Sequence, residues 1–467
     1  MVIPSWTRQR YAVAAPVSAS LDQAVRCCSH AIIGIWPIPA TTGEKSRGRF
    51  EPTKDSYAMQ NYKLNGEIYV VRGAAKCCIY DIEHNKLFSV DKSVADTIEH
   101  AVLGHGEPLS QSILAALTTN GIIVPTDAPM SSMPLITDMF KGRKREIEFA
   151  WIEVTNVCNL RCRHCYNETD RTCHRAMSFN EFAHVCDELV AYGVSEVQLI
   201  GGEPFTIPEK TLFAMLSYAH MRFKSIELFF NGTMVSREQL EWMKENVPKV
   251  RIALSLHSFI EEEQDKLTQV PGSYKKITET LRHLKELGMT YRYVGVYTSM
   301  IKVGNESDFG VPYKRDYIRL AGRGSLCHYD CKLLKERLKT RESFQFKDLR
   351  KTVLEIWSAN CFSKYFYIGS NLEVYPCVME RRFSHGNLSG KKLSEIVDQS
   401  LLNFSKENVK GCRDCEYRFV CLDCRPDSLS GDKYEKSWFC LYDEQNGVWK
   451  DSDARIKELL GTDAAAQ

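Results

Sequence analysis

From residue 147 onward the chain repeats one pattern. A short continuous apolar run is followed by a stretch in which apolar residues recur every three or four positions. The runs "EFAWIEVT", "EVQLIGG", "SIELFFNG", "VRIALSL" and "YRYVGVYTS" are rich in β-branched and aromatic residues and read as buried parallel strands. "RDYIRLAG" adds a sixth. The intervening helices have marked ends. Ser178 and Glu181 form a capping box before "FAHVCDELVAYG", and Gly193 stops that helix. Ser273 precedes a helix with Ile277, Leu281, Leu284 and Leu287 on one face, ended by Gly288. Repeated βα units of this length predict a parallel α/β barrel, or part of one, over 146–345. The reactive edge of such a barrel is the C-terminal ends of its strands.

Upstream, "YKLNGEIYVVRGAAKCCIYDIEHNKLFSV" breaks into short β-rich runs at "NG", "RG" and "EHN". Helical patterns follow at "VADTIEHAVL" and "LSQSILAALTTNG". Three strands and then helices predict a small α+β unit which, with the basic connector "KGRKREIE", fills 59–145. Strand alternation turns one of Cys77 and Cys78 inwards and the other outwards. Residues 1–58 hold no sustained period and read as a disordered extension, or a mis-assigned start ahead of Met59. Cys27 and Cys28 are then of no consequence. At the other end 346–450 is cysteine-rich, and 451–467 reads as a tail.

Composition narrows the classes. With 467 residues, 44% hydrophobic and 26% charged, the chain is an ordinary multidomain globular protein. A net charge of +2 gives no field towards nucleic acid or an anionic membrane, and no apolar run nears the roughly 18 residues of a membrane helix. Cysteine is the outlier, at 18. Ten of these fall at 158–165 and 361–440, which points to metal ligation in a reducing, cytoplasmic setting and away from a secreted disulfide scaffold. Cys173 and Cys186 read as a loop thiol and a helix-core residue.

In "VTNVCNLRCRHCYNETD", Cys158, Cys162 and Cys165 follow the first barrel strand directly. Zinc ribbons close on four ligands. Three thiolates on an iron–sulfur cube leave one iron open for a substrate or cofactor.

"CNLRCRHC" resembles the CxxxCxφC signature of radical S-adenosylmethionine enzymes, with His164 at the aromatic position. The likeness continues at successive strand ends. "GGEP" (Gly201, Gly202, Glu203, Pro204) matches the segment that holds the methionine amino group. "NG" at Asn231 ends the third strand, and "LSLHS" carries Ser255 where family members contact ribose or carboxylate. The resemblance implies a partial (β/α)6 radical SAM barrel. It also implies a [4Fe–4S] cluster on Cys158, Cys162 and Cys165, whose open iron takes S-adenosylmethionine and whose electron releases a hydrogen-abstracting 5′-deoxyadenosyl radical.

"GCRDCEYRFVCLDC", with "NLEVYPC" before it and "WFC" after, is similar to the seven-cysteine SPASM domain. That resemblance implies two auxiliary [4Fe–4S] clusters, an inner one on Cys361, Cys377 and Cys424 and an outer one on Cys412, Cys415, Cys421 and Cys440. Cys327 or Cys331 is a candidate fourth ligand of the inner cluster. Two positions depart from the pattern: Leu372 stands where a glycine is usual, and the last pair is spaced CxxC. The unit at 59–135 resembles the small, winged-helix-like leader-peptide modules of peptide maturases, "VVRGAAKCCIYDIEHN" in particular those of grasp-with-spasm systems. Such modules take the leader as an added strand.

These resemblances imply an enzyme that crosslinks a ribosomally made precursor peptide, through a thioether, C–C or C–O bond, supplied with electrons by a flavodoxin or ferredoxin. The rivals are an anaerobic sulfatase-maturating enzyme, a radical enzyme of tetrapyrrole cofactor synthesis, and a non-catalytic iron–sulfur or zinc scaffold.

Overall fold

The computed structural model describes residues 60–105, 110–167, 174–305, 313–358 and 361–461. The expectations for residues 1–58 and for Cys173 lie outside them. In the N-terminal unit, β1 (Asn61–Leu64) is followed by an antiparallel meander of β2 (Ile68–Arg72), β3 (Lys76–Asp81) and β4 (Lys86–Asp91). Then come α1 (Lys92–Leu103), α2 (Gln111–Thr119) and β5 (Ile123–Thr126), which returns to pair with β1. The β1–β5 pair adds two strands to the three expected. Its partners, from Leu64 and Ile123 to Asn61 and Thr126, lie 59 to 65 positions apart, too far for any local pattern to reveal.

Both faces of the meander are covered. Cys77 and Ile79 pack with Ile98 and Leu117 of the helices. Cys78 and Tyr80, on the opposite face, pack with Phe344, Tyr417 and Tyr442 from the C-terminal half. Cys77 and Cys78 therefore do point to opposite sides, but neither is exposed (both 0%). The outward expectation fails because a second layer lies on that face. The β2–β3 turn is also bonded to this layer. Ala74 N donates to Asp414 O (2.7 Å) and Ala75 N to Glu444 O (3.2 Å), and Tyr80 Oη donates to Glu416 O (2.7 Å).

The central sheet carries the expected barrel. β6 (Phe149–Thr155), β7 (Glu196–Gly201), β8 (Ser225–Phe230), β9 (Val250–Ser255), β10 (Tyr291–Tyr297) and β11 (Tyr313–Tyr317) are parallel neighbours in chain order. The βα repeats place α3 (Phe179–Tyr192), α4 (Glu209–Arg222), α5 (Arg237–Asn246), α6 (Glu261–Thr268) and α7 (Ser273–Glu286) between the strands. Phe182, Val185 and Cys186 of α3 and Ile277, Leu281 and Leu284 of α7 pack on the strands in one core, as their spacing requires. The capping box of Ser178 and Glu181 is formed. α7 starts at Ser273 itself, whose hydroxyl donates to Asp265 Oδ1 (2.7 Å).

On the other flank of β6 the sheet continues into the C-terminal region. β12 (Tyr365–Ile368) pairs parallel with β6, and β13 (Glu373–Tyr375) and β14 (Gly386–Asn387) extend it antiparallel. Leu372, in the β12–β13 turn, has φ +66°, the left-handed conformation a glycine would adopt at no steric cost, and it is buried. The backbone thus takes a conformation that suits glycine, while a leucine side chain fills the core. Within the expected tail, Ser452–Leu460 is a helix whose Ile456 is buried. Among the described residues no helix is long and apolar enough to cross a membrane.

Two stability effects follow. Tyr80→Phe strands the buried Glu416 carbonyl and is expected to cost about 1–2 kcal/mol in urea unfolding. An unchanged midpoint would mean that the junction does not support the fold. His385 is buried and its pKa pressed down to about 4 by burial, while its Nδ1 accepts from Asp398 N (3.1 Å). The unfolded chain binds a proton there that the folded one refuses, so stability falls as pH drops from about 6.5 to 4, by up to ~3 kcal/mol. His385→Gln should flatten that slope in urea titrations at pH 4–7.

Candidate active site

The first site is built at the C-terminal ends of β6 to β9. The backbone leaving β6 crosses the end of β7 so closely that no side chain fits between them. A Cβ on Gly201 would lie 2.5 Å from Thr155 O, and one on Gly202 would lie 2.1 Å from Val157 O. Gly202 N donates to Thr155 O and Glu203 N to Val157 O, both at 2.7 Å. The glycines therefore let the Cys158 loop lie on the β7 end. Glu203 is fully buried and accepts from Asn231 N (2.7 Å) and Phe205 N (3.0 Å), tying the ends of β7 and β8 together. Burial pushes its carboxyl up to about 7. Pro204 is buried in the short turn that follows.

Asn231 Nδ2 donates to Asn159 Oδ1 (2.8 Å) and lies 4.0 Å from Cys158 Sγ. The rest of the loop is pinned from two sides. Arg161 N and Arg163 N donate to Thr268 O and Leu267 O at the end of α6. Arg323 donates through Nε to Cys162 O (2.8 Å) and through its backbone N–H to Cys165 O (2.9 Å). His164 is half-buried, with its ring edge-on to His257 at 4.5 Å, and burial with the charges of His257 and His328 holds it neutral. Ser255 is half-buried at the end of β9.

Cys158, Cys162 and Cys165 come together closely enough to repel one another as thiolates. Burial, then the neighbouring Glu203 and Cys165, push the Cys158 thiol up to about 11, and burial with the same mutual repulsion raises Cys162 further. Such a group is ionised only against compensating positive charge, which iron supplies, so the donor set fits a cluster.

The C-terminal cysteines form two further groups. Cys361 and Cys377 are hydrogen-bonded through their side chains, with Cys424 and Arg319 beside them. Cys412, Cys415, Cys421 and Cys440 line one small cavity. Lys406 stands 3.8 Å from Cys412 Sγ and 3.9 Å from Cys421 Sγ, and its ammonium is paired with Asp423 at 3.5 Å. Cys327 is exposed, 2.9 Å from Ser325 Oγ. Cys361, Cys377 and Cys424 thus lie near one another, as do Cys412, Cys415, Cys421 and Cys440.

Between the Cys165 loop and the C-terminal region lies a cavity of about 850 Å³. Tyr166, Asn167 and Gly322 form one wall, and Tyr367, Tyr375 and Arg381 another. Tyr166 feels the charge of Cys377, so cavity and inner cysteine group are adjacent. At its edge Glu153, 6% exposed, accepts from Asn167 Nδ2 (3.0 Å), Ser370 Oγ (2.7 Å), Ser370 N (3.2 Å) and Tyr367 Oη. Sequence reasoning missed Glu153, Tyr367 and Arg381. Only Glu153 left a signal, as a carboxylate inside the apolar run "EFAWIEVT".

Gly202→Ala is expected to displace the Asn156–Val157 backbone, at a cost of ~3 kcal/mol. It should also lower the iron content of reconstituted protein by about a third, the share of one cluster in three. Unfolding curves and iron assays unchanged from wild type would contradict the proposed contact.

Comparison with known proteins agrees with this arrangement. The model of the radical SAM superfamily matches residues 152–310, and that of the SPASM iron–sulfur cluster-binding domain matches 360–416. The antilisterial bacteriocin subtilosin biosynthesis protein AlbA of Bacillus subtilis (strain 168) is 27% identical over 319 residues, 63% of this chain and 70% of that one. The AdoMet-dependent heme synthase of Methanosarcina barkeri (strain Fusaro / DSM 804) is 26% identical over 348 residues, covering 63% and 95%. The crystal structure of Streptococcus suis SuiB bound to precursor peptide SuiA shares the fold, with a TM-score of 0.51 at 14% identity, covering 80% of this chain and 99% of that one. With its barrel and both matches, the chain carries a radical SAM domain and, C-terminal to it, a SPASM iron–sulfur cluster-binding domain.

Proposed function

We propose that the protein installs a thioether, C–C or C–O crosslink in a ribosomally synthesised precursor peptide. The observation that carries this reading is the 850 Å³ cavity itself. It is bounded on one side by Tyr166 and Asn167, which follow Cys165, and on the other by Tyr375, Arg381 and Pro426, which flank Cys377 and Cys424 in sequence, and it is roomy enough for a stretch of peptide.

Cys158, Cys162 and Cys165 would hold the cluster that works with S-adenosylmethionine. Gly201, Gly202, Glu203, Pro204, Asn231, Ser255 and His164 would line the cofactor. Cys361, Cys377 and Cys424 would hold the inner auxiliary cluster, and Cys412, Cys415, Cys421 and Cys440 the outer one. When bound, these groups supply one-electron cleavage of the sulfonium, a hydrogen-abstracting adenosyl radical and an electron sink. The chain's own residues then have two tasks. The loop pinned by Arg323, Gly202 and the end of α6 holds the cysteines fixed, and the tyrosine-lined cavity orients the peptide and limits its contact with water. Each crosslink removes two hydrogens from the peptide, one as an atom and one as a proton with its electron. The unit at 60–135 would take the leader, a cytoplasmic flavodoxin or ferredoxin would supply electrons, and neither nucleic acid nor membrane would be a partner. AlbA, a bacteriocin biosynthesis protein, supports a peptide substrate.

A second reading, a tetrapyrrole substrate, draws on the heme synthase likeness, which covers 95% of that enzyme. Anaerobic co-expression with the short peptide encoded beside the gene separates the two. The peptide should lose two hydrogens per crosslink by mass, and Cys158→Ala should abolish the loss. An unchanged peptide from protein that still cleaves S-adenosylmethionine would overturn the peptide reading.

A further inference from the structure

The described residues lining the large cavity include five charged side chains: Glu153, Arg175, Glu380, Arg381 and Arg382. Four of them are matched. Glu153 is bonded to Asn167, Ser370 and Tyr367. Arg175 pairs with Glu181 (2.7 Å) and donates to Ser370 O (2.6 Å). Glu380 and Arg382 pair with each other (2.7 Å), and Arg382 also donates to Ser428 Oγ, Gly431 O and Arg425 O. Arg382 is thus committed to holding the chain together.

Arg381 differs. Its guanidinium carbon stands 3.6 Å from the centre of the Tyr367 ring and 4.9 Å from that of Tyr375. Its charge reaches the Tyr166 phenol on the opposite wall. Its Nη1 is buried and has no hydrogen-bond partner among the described residues, and it forms no ion pair with a carboxylate among them. A guanidinium stacked on an aromatic face is held in plane, with its N–H edge fixed for a flat acceptor. With no carboxylate paired to it among the described residues, the Arg381 charge in the cavity wall is left for an anion that enters. A carboxylate matches the fork through two parallel hydrogen bonds.

We propose that Arg381 binds a carboxylate of the substrate peptide and so selects which segment lies against the Cys165–Asn167 wall. The carboxylate is an Asp or Glu side chain or the peptide's C-terminus. This inference rests on the peptide reading above and adds a requirement to it. The bond formed is a salt bridge, and no covalent step is involved.

The test uses the reconstituted holoenzyme and the fluorescently labelled precursor peptide encoded beside the gene. Without reductant, fluorescence anisotropy gives peptide affinity. With reductant, mass spectrometry gives crosslinking. Each peptide carboxylate is neutralised in turn, by Asp→Asn, by Glu→Gln and by C-terminal amidation, which separates the two sources. One of these changes should weaken binding to the wild-type enzyme about tenfold to a hundredfold. It should weaken binding to Arg381→Gln no further, and Arg381→Lys should recover part of the loss. Because the peptide variants are measured on the wild-type enzyme, the test survives poor folding of Arg381→Gln.

Three results would overturn the proposal. In one, all neutralised peptides bind the wild-type enzyme like the unmodified one. In another, the loss is fully additive with Arg381→Gln. In the third, Arg381→Gln weakens binding of S-adenosylmethionine while leaving that of the peptide intact, which assigns the guanidinium to the cofactor. If the wild-type enzyme crosslinks the peptide in any of these cases, only the carboxylate inference falls. If it leaves the peptide mass unchanged, the peptide reading falls and this inference with it.

Discussion

The parallel pairing of β12 with β6 is the constraint on which the site depends. Two strands more than 200 residues apart meet in register, Phe149 opposite Tyr365 and Ile152 opposite Ile368. Because they run the same way, the C-terminal end of β12 comes out beside the end of β6 that leads into Cys158. Glu153 sits at that junction and binds Tyr367 and Ser370 from the C-terminal side and Asn167 from the cysteine loop. A buried carboxylate with that many donors tolerates little change in geometry, since losing any one leaves a charge poorly compensated. It joins barrel and C-terminal domain at the cavity's edge, so the segment after Cys165 and the segments around Cys377 wall a common space.

The N-terminal unit is anchored to the same assembly. Its β2–β3 turn bonds to Asp414 and Glu444, and one face of its meander shares a core with Tyr417 and Tyr442, neighbours of Cys415 and Cys440. The unit is therefore built into the wall around the outer cysteine group. A peptide held at its sheet would be held at a fixed position relative to the cavity, so that binding energy gained away from the chemistry serves to orient the reacting segment.

Much of this was legible in the chain. Apolar runs alternating with helical periods predict six parallel strands because both the strand interiors and the helix faces must be buried. The "GGEP" segment is readable through the family resemblance, but the steric reason for its glycines is not, since the atoms that crowd them, Thr155 O and Val157 O, belong to the strand end before. The cysteine spacing predicts the grouping of three and seven, and the split of the seven follows from the family resemblance. What was not legible depends on distant partners. Cys78 is buried by residues from positions 344 to 442, and β12 gains its meaning from β6. Arg381 is unremarkable in "MERRF" beside Arg382, and only the structure separates the arginine that is fully bonded from the one that is not. Leu372 shows the converse: the residue departs from the family pattern, yet its backbone takes the left-handed conformation, φ +66°, that a glycine adopts freely.

The central claim is that three cysteine groups hold three iron–sulfur clusters, two of them near the large cavity and the third at a separate small one. Anomalous diffraction at the iron edge from crystals of the anaerobically reconstituted protein tests it most directly. The account predicts three separate iron peaks: one at Cys158, Cys162 and Cys165, one at Cys361, Cys377 and Cys424, and one at Cys412, Cys415, Cys421 and Cys440. A single iron peak at the barrel, with signal at the zinc edge or none in the C-terminal groups, would contradict it.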